Sequence, residues 1–161
     1  MDLLDAREMG PTILLGVGAQ SHQFQRMLDL AAYAHARGCM AVIGGPHVMT
    51  CDTKMLQGQG VSFALAEAEA VLSEILEDAC KGELKPVYGE NQRWATGILN
   101  TPVLIPPTSE DLARSVIPMM GIYPYRGCPF TCSFCSVIKI AGRKIRGQAI
   151  ETTIALSLIH I

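Results

Sequence analysis

Two short apolar runs that end in glycines, with an amphipathic stretch between them, constrain the fold of this chain more than any other feature. The first, Thr12-Ile13-Leu14-Leu15-Gly16-Val17-Gly18, reads as a buried strand. From His22 to Arg37 the residues Phe24, Met27, Leu28, Ala31 and Ala34 recur at helical spacing, and Gly38 can close that helix. The second run, Cys39-Met40-Ala41-Val42-Ile43, is stopped by Gly44-Gly45-Pro46. Strand, helix and strand with short joints form a βαβ unit, which requires parallel neighbours and a crossover. Val61–Ala66 offers a third strand. The segment from Glu67 to Lys81 then places Ala68, Val71, Leu72, Ile75, Leu76 and Ala79 on a helix, with Gly82 as its stop. The fold class is therefore α/β.

The pattern breaks at residue 83. Pro86, Pro102, Pro106, Pro107 and Pro118 fall between 83 and 118 with no long periodic stretch, so 83–115 reads as a connector, with a small hairpin around Trp94 to Leu104. A further strand, Val116 to Tyr123, leads into a cysteine-rich loop, and 116–155 reads as the start of a second domain. Residues 156–161 read as a tail, either a helix end or a translated adapter remnant, and carry no functional weight. Residues 1–82 supply only about three strands, and 116–155 one strand and one helix. Neither buries a full core alone, so the expectation is a piece of a longer protein.

Charge and composition exclude several classes of function. Apolar residues make up 49% and charged residues 17%, which excludes a disordered or coiled-coil chain. The net charge of −2 offers no global field for nucleic acid or an acidic membrane. The balance is uneven: residues 1–117 hold 8 basic and 14 acidic side chains, whereas 118–161 hold 5 basic and 1 acidic. An anionic ligand is thus expected in the C-terminal quarter. No uninterrupted apolar run reaches spanning length, and the acidic start, Met1 to Glu8, is unlike a secretory leader. The expectation is a cytoplasmic protein with no membrane or nucleic-acid partner.

Of six cysteines, Cys128, Cys132 and Cys135 crowd into eight residues, while Cys39, Cys51 and Cys80 are scattered and read as structural. The run Gly127-Cys128-Pro129-Phe130-Thr131-Cys132-Ser133-Phe134-Cys135 has the spacing C-x-x-x-C-x-x-C. Three thiolates on one tight loop can each bind a different iron of a cubane cluster and leave the fourth iron open to an outside ligand. An electron-transfer cluster or a structural zinc site uses four protein ligands. Zinc is the competing reading and would have to recruit His160, another distant residue or a second chain.

The stretch from Arg126 to Cys135, with Phe134 just before the third cysteine, resembles the signature of the radical S-adenosylmethionine (SAM) superfamily. The resemblance implies a 4Fe–4S cluster on Cys128, Cys132 and Cys135, with SAM on the open iron and an external electron donor. It also implies reductive cleavage of SAM to a 5′-deoxyadenosyl radical, and a loop placed after the first strand of a partial (β/α) barrel. Phe134 is expected either to shield the cofactors or to join the core. Arg126, Lys139, Arg143, Lys144 and Arg146 would offset the charge of thiolates and SAM. Arg126 sits directly beside the loop, and for each of the others a solvated face is the simpler reading.

The first half resembles the cobalamin-binding domain that precedes the radical domain in one large class of that superfamily. Gly44-Gly45-Pro46-His47-Val48-Met49-Thr50 matches its glycine turn after an inner strand. Leu65-Ala66-Glu67-Ala68-Glu69 sits at its second turn, with Ala66 where glycine is usual. The resemblance implies a flavodoxin-like (Rossmann-type) parallel sheet, with Gly44 and Gly45 allowing close approach of cobalamin. His47 is more simply structural than a cobalt ligand. Gly16-Val17-Gly18-Ala19-Gln20-Ser21 is a weak match to a dinucleotide turn, because serine replaces the third glycine and no acidic residue ends the next strand.

Together these features lead to an expectation of part of a cobalamin-dependent radical SAM enzyme acting on a small molecule; the resemblance implies methyl transfer to an unactivated carbon as a frequent reaction, with ring contraction and cyclisation as others of the same class. The isolated piece is expected to be inactive. The alternative is a non-catalytic zinc- or iron–sulfur-binding module with an α/β platform for a protein partner.

Overall fold

The computed structural model describes residues 14–52, 60–91, 110, 113–114, 124–151 and 153–154. The chain divides into two compact units, Met1–Ala95 and Thr96–Ile161. In the first unit the described elements are β1 (Leu14–Gly18), α1 (Phe24–His35), β2 (Met40–Gly44), α2 (Pro46–Thr50), β3 (Ser62–Ala64), α3 (Ala68–Lys81) and β4 (Val87–Tyr88). The four strands lie in the order β1-β2-β3-β4, and every neighbouring pair is parallel. Leu14 stands opposite Met40, Ile43 opposite Phe63, and Ala64 opposite Tyr88.

Strand alternation sorts the core into two layers. Ala41, Ile43 and Phe63 point to one face, where Ala31 of α1 and Val48 of α2 close over them, with Phe24, Met27 and Leu28 at the margin. Val42, Ala64 and Tyr88 point to the other, where Val71 and Ile75 of α3 cover them. Both faces are buried, so the strands carry almost no polar side chains. Ile43 and Phe63 are completely buried, each contributing about 1.5–3 kcal/mol of transfer free energy.

The expected βαβ unit is present, with its helix trimmed. Ser21–Gln23 forms a 3-10 turn ahead of α1, where the Gln20 backbone N–H donates to Gln23 Oε1 at 3.3 Å. Gly82 caps α3 as expected, at φ 77°, whereas α1 ends at His35 with Ala36 as its cap, and Gly38, at φ 78°, ends the turn that follows. On α3 the buried stripe is Val71, Ile75 and Ala79, whereas Leu72 and Leu76 are half exposed. The sheet reaches one stripe of the helix, and a step of about 100° carries the adjacent leucines off it.

Two elements depart from the expectation. The Gly44-Gly45-Pro46 stop opens directly into α2, with Pro46 at the first helical position, where its fixed φ and missing N–H cost nothing. The stretch expected as pure connector supplies β4, which carries the first unit's sheet to residue 88. Tyr88 is anchored on α3: its hydroxyl donates to Asp78 Oδ2 at 3.0 Å and accepts from the Lys85 backbone N–H at 2.9 Å. Lys85 also pairs with Glu74 and lies 3.6 Å from Asp78 Oδ2.

In the second unit the described elements are β5 (Tyr125–Arg126), α4 (Val137–Ile140) and β6 (Arg146–Gly147), with β5 and β6 paired antiparallel. The expected strand Val116–Tyr123, the hairpin Trp94–Leu104 and the tail 156–161 lie outside the described residues. Among the described residues no helix is long and apolar enough to cross a membrane.

Candidate functional site

The cysteine loop is built between β5 and α4. Tyr125 pairs with Gly147 and Arg126 with Arg146, and the Gln148 N–H donates to the Pro124 carbonyl at 2.9 Å. The chain then leaves β5 through Gly127, at φ +95°. A Cβ at Gly127 would strike the Lys144 carbonyl oxygen, so only glycine lets the two backbones pass there. One residue later the Cys128 N–H donates to the Gly142 carbonyl at 3.0 Å, fixing the first cysteine to the turn after α4. The Cys135 N–H donates to the Cys132 carbonyl at 3.2 Å, which puts the second and third cysteines in one tight turn just before α4.

All three thiols are free, with Cys132 exposed and Cys128 and Cys135 half-buried. Their type and spacing suit a thiophilic metal. The geometry is not that of a preassembled site: among the described residues no three His, Cys, Asp or Glu side chains are gathered as a metal would hold them. Loading would have to draw the thiols together, coupling metal binding to local ordering.

The aromatic residues of the loop face outward, with Phe134 91% and Phe130 70% exposed. Phe134 is therefore not a core residue of the described unit. Lys139, Arg143 and Lys144 are exposed, in keeping with the solvated-face reading. Arg146 departs from it. Its residue is only 7% exposed, and its guanidinium Nη2 donates to the Ala141 carbonyl at 2.8 Å. No periodicity marks this burial in the sequence.

In the first unit, the glycine turn lies at the carboxyl ends of the strands, the edge where parallel sheets bind ligands. Here Gly45 has φ +96° and ψ −177°. A Cβ on it would come within 2.7 Å of the Ala19 nitrogen and 3.1 Å of its carbonyl oxygen. The room that Gly45 leaves is thus filled by the chain itself. The Ala19 N–H donates to the Gly44 carbonyl at 2.9 Å, and the His47 N–H donates to the Ala19 carbonyl at 3.0 Å. A Cβ on Gly44 would meet only the Ala64 methyl, at an ordinary 3.5 Å.

His47 belongs to the same corner. Its Nδ1 lies 3.0 Å from Ser21 Oγ, and its ring packs on Phe24 with centroids 4.2 Å apart. These contacts tie α2 to the start of α1. At the second turn, buried Ala66 fills the space beside Gly89, where a Cβ would collide with the Ala66 methyl. Of the remaining cysteines, Cys39 is buried and Cys80 exposed. The Cys51 thiol is pushed up by burial, with Asp52 adding to the rise against a lowering backbone hydrogen bond. A raised thiol is a poor nucleophile.

No family model matches the chain. It is similar to several curated proteins. One is an uncharacterized methyltransferase of Pyrococcus horikoshii, 31% identical over 137 residues, covering 74% of this chain and 30% of the relative. Another is bacteriochlorophyllide d C-12(1)-methyltransferase of Chlorobaculum tepidum, 28% identical over 119 residues, covering 73% and 26%. An uncharacterized methyltransferase of Synechocystis is 29% identical over 121 residues, covering 74% and 22%. Each of these relatives is a methyltransferase by name. The chain spans between 22% and 30% of their lengths.

Proposed function

We propose that this chain is part of a radical SAM methyltransferase, and that Cys128, Cys132 and Cys135 hold its 4Fe–4S cluster. The observation that carries the reading is the C-x-x-x-C-x-x-C loop with three free thiols, in a chain whose curated relatives are named methyltransferases. When bound, such a cluster supplies the electron that cleaves SAM reductively. The chain's own part is to present and orient the thiols. Gly127 and the Gly142 carbonyl fix the backbone of Cys128, and the Cys132–Cys135 turn keeps the other two within one loop. The exposed cations Lys139, Arg143 and Lys144 lower the cost of gathering anionic sulfur there.

Cobalamin belongs to the reading through the sequence resemblance of the first unit. The carboxyl edge of the four-stranded parallel sheet is the right kind of place for it. Gly44 and Gly45 stand at that edge, with Gly45 packed on Ala19, and no step is assigned to them. Substrate, electron donor and methyl acceptor belong to the whole protein. Within this chain the test is anaerobic reconstitution of wild type and Cys132→Ala. Wild type should take up about four irons per chain and Cys132→Ala well under one; equal iron in both would refute the assignment.

A further inference from the structure

Arg146 is the charged side chain that stands buried among the described residues. It is set directly across the ribbon from Arg126, so the two cations share one face. Arginine is the cation best suited to a buried, directional hydrogen bond. What Arg146 achieves is geometric. Its guanidinium donates to the Ala141 carbonyl at 2.8 Å, across the turn that joins α4 to β6. That turn carries the Gly142 carbonyl that accepts from the Cys128 N–H, and the Lys144 carbonyl against which Gly127 is packed. Residues 141–148 therefore form a clasp around 124–128, and the Arg146 head group closes it onto Ala141.

We propose that Arg146 is a positioning residue for the cysteine loop, its buried guanidinium holding the 141–144 turn on Gly127 and Cys128 so that the first thiol is correctly placed for metal. Its consequence for iron rests on the cluster assignment above; the placement of Cys128 does not. Lysine can keep the charge and one donor but cannot match the planar fork, so Arg146→Lys should preserve part of the function and Arg146→Gln little.

The experiment measures alkylation of each cysteine in the metal-free 161-residue chain by mass spectrometry, followed by anaerobic reconstitution with iron and sulfide. Exposed Cys80 and buried Cys39 serve as internal references for an open and a protected thiol. In Arg146→Gln the alkylation rate of Cys128 relative to Cys80 should rise about tenfold, with Cys39 still protected. Arg146→Lys should fall between this variant and wild type. Gly127→Ala, which forces the same clasp open from the other strand, should match Arg146→Gln. Iron uptake and the electron paramagnetic resonance signal of the reduced sample should fall in the same order. An unchanged Cys128 rate in Arg146→Gln overturns the proposal, and does so even if Gly127→Ala opens the loop. If wild type binds no iron while the alkylation order holds, the cluster assignment fails and the positioning role stands.

Discussion

Replacing Gly45 by alanine should cost far more than the same change at its neighbour Gly44, because the two glycines are bare for different reasons. At φ +96° and ψ −177° Gly45 occupies a region open almost only to glycine, and forcing alanine there costs about 1–3 kcal/mol. Its Cβ would also lie 2.7 Å from the Ala19 nitrogen. The corner would have to open, straining the bonds from Ala19 N–H to Gly44 and from His47 N–H to Ala19, at 2.9 and 3.0 Å; one weakened bond adds about 1 kcal/mol. The expected loss is thus about 3 kcal/mol. At a urea dependence of about 1 kcal/mol/M for a small unit, the midpoint should fall by about 3 M. Gly44 lies in β2, where a Cβ would meet Ala64 at 3.5 Å, and Gly44→Ala should change stability by less than about 1 kcal/mol. Urea titration followed by circular dichroism reads both variants. Equal midpoints for the two would refute the account of the corner.

Other consequences are as direct. Tyr88→Phe removes the hydroxyl shared by Asp78 and the Lys85 N–H and should cost about 1–2 kcal/mol in the same titration. Burial raises the Tyr88 phenol, with Asp78 adding to the rise and the Lys85 N–H opposing it. The Lys85 ammonium is raised by its bond to Glu74. Groups with raised folded-state values contribute stability that is complete below their ordinary values and is lost as pH climbs through the folded ones. Wild type should therefore lose stability above about pH 10 more steeply than Tyr88→Phe; parallel curves would contradict this. On α3, Ile75→Ala, at a buried position, should cost about 2–4 kcal/mol. Leu76→Ala, at a half-exposed one, should cost under about 1 kcal/mol, and a reversed order would mean that α3 is rotated on the sheet.

The elements legible in the sequence are those whose own periodicity sets them. β1, α1 and β2 show as two apolar runs around one amphipathic stretch, and α3 as a repeat of buried positions ending at Gly82. β4 was not legible, because two residues carry no period and Tyr88 is held by residues far from it in the chain, its ring under Val71 and Ile75 and its hydroxyl on Asp78, ten positions away. Nor was α2, whose five residues leave Pro46 as the single clue. The cysteine loop was legible as a candidate because its spacing lies within eight consecutive residues, whereas the state of each thiol is set by the surrounding fold, as at Cys51. The burial of Arg146 depends on a backbone carbonyl five residues earlier and on a paired strand, and leaves no trace in residue type. Gly45 shows the same limit from the other side. Its identity marks a tight spot, but the partner that makes it tight is Ala19, a contact that only the folded sheet creates.

The central claim is that the three clustered cysteines carry an iron–sulfur centre with an open iron. Its most direct test is electron paramagnetic resonance of the anaerobically reconstituted and reduced chain, with and without SAM, alongside metal analysis. The account predicts about four irons per chain and a spectrum that changes when SAM is added. Stoichiometric zinc with no iron, or a spectrum indifferent to SAM, would contradict it.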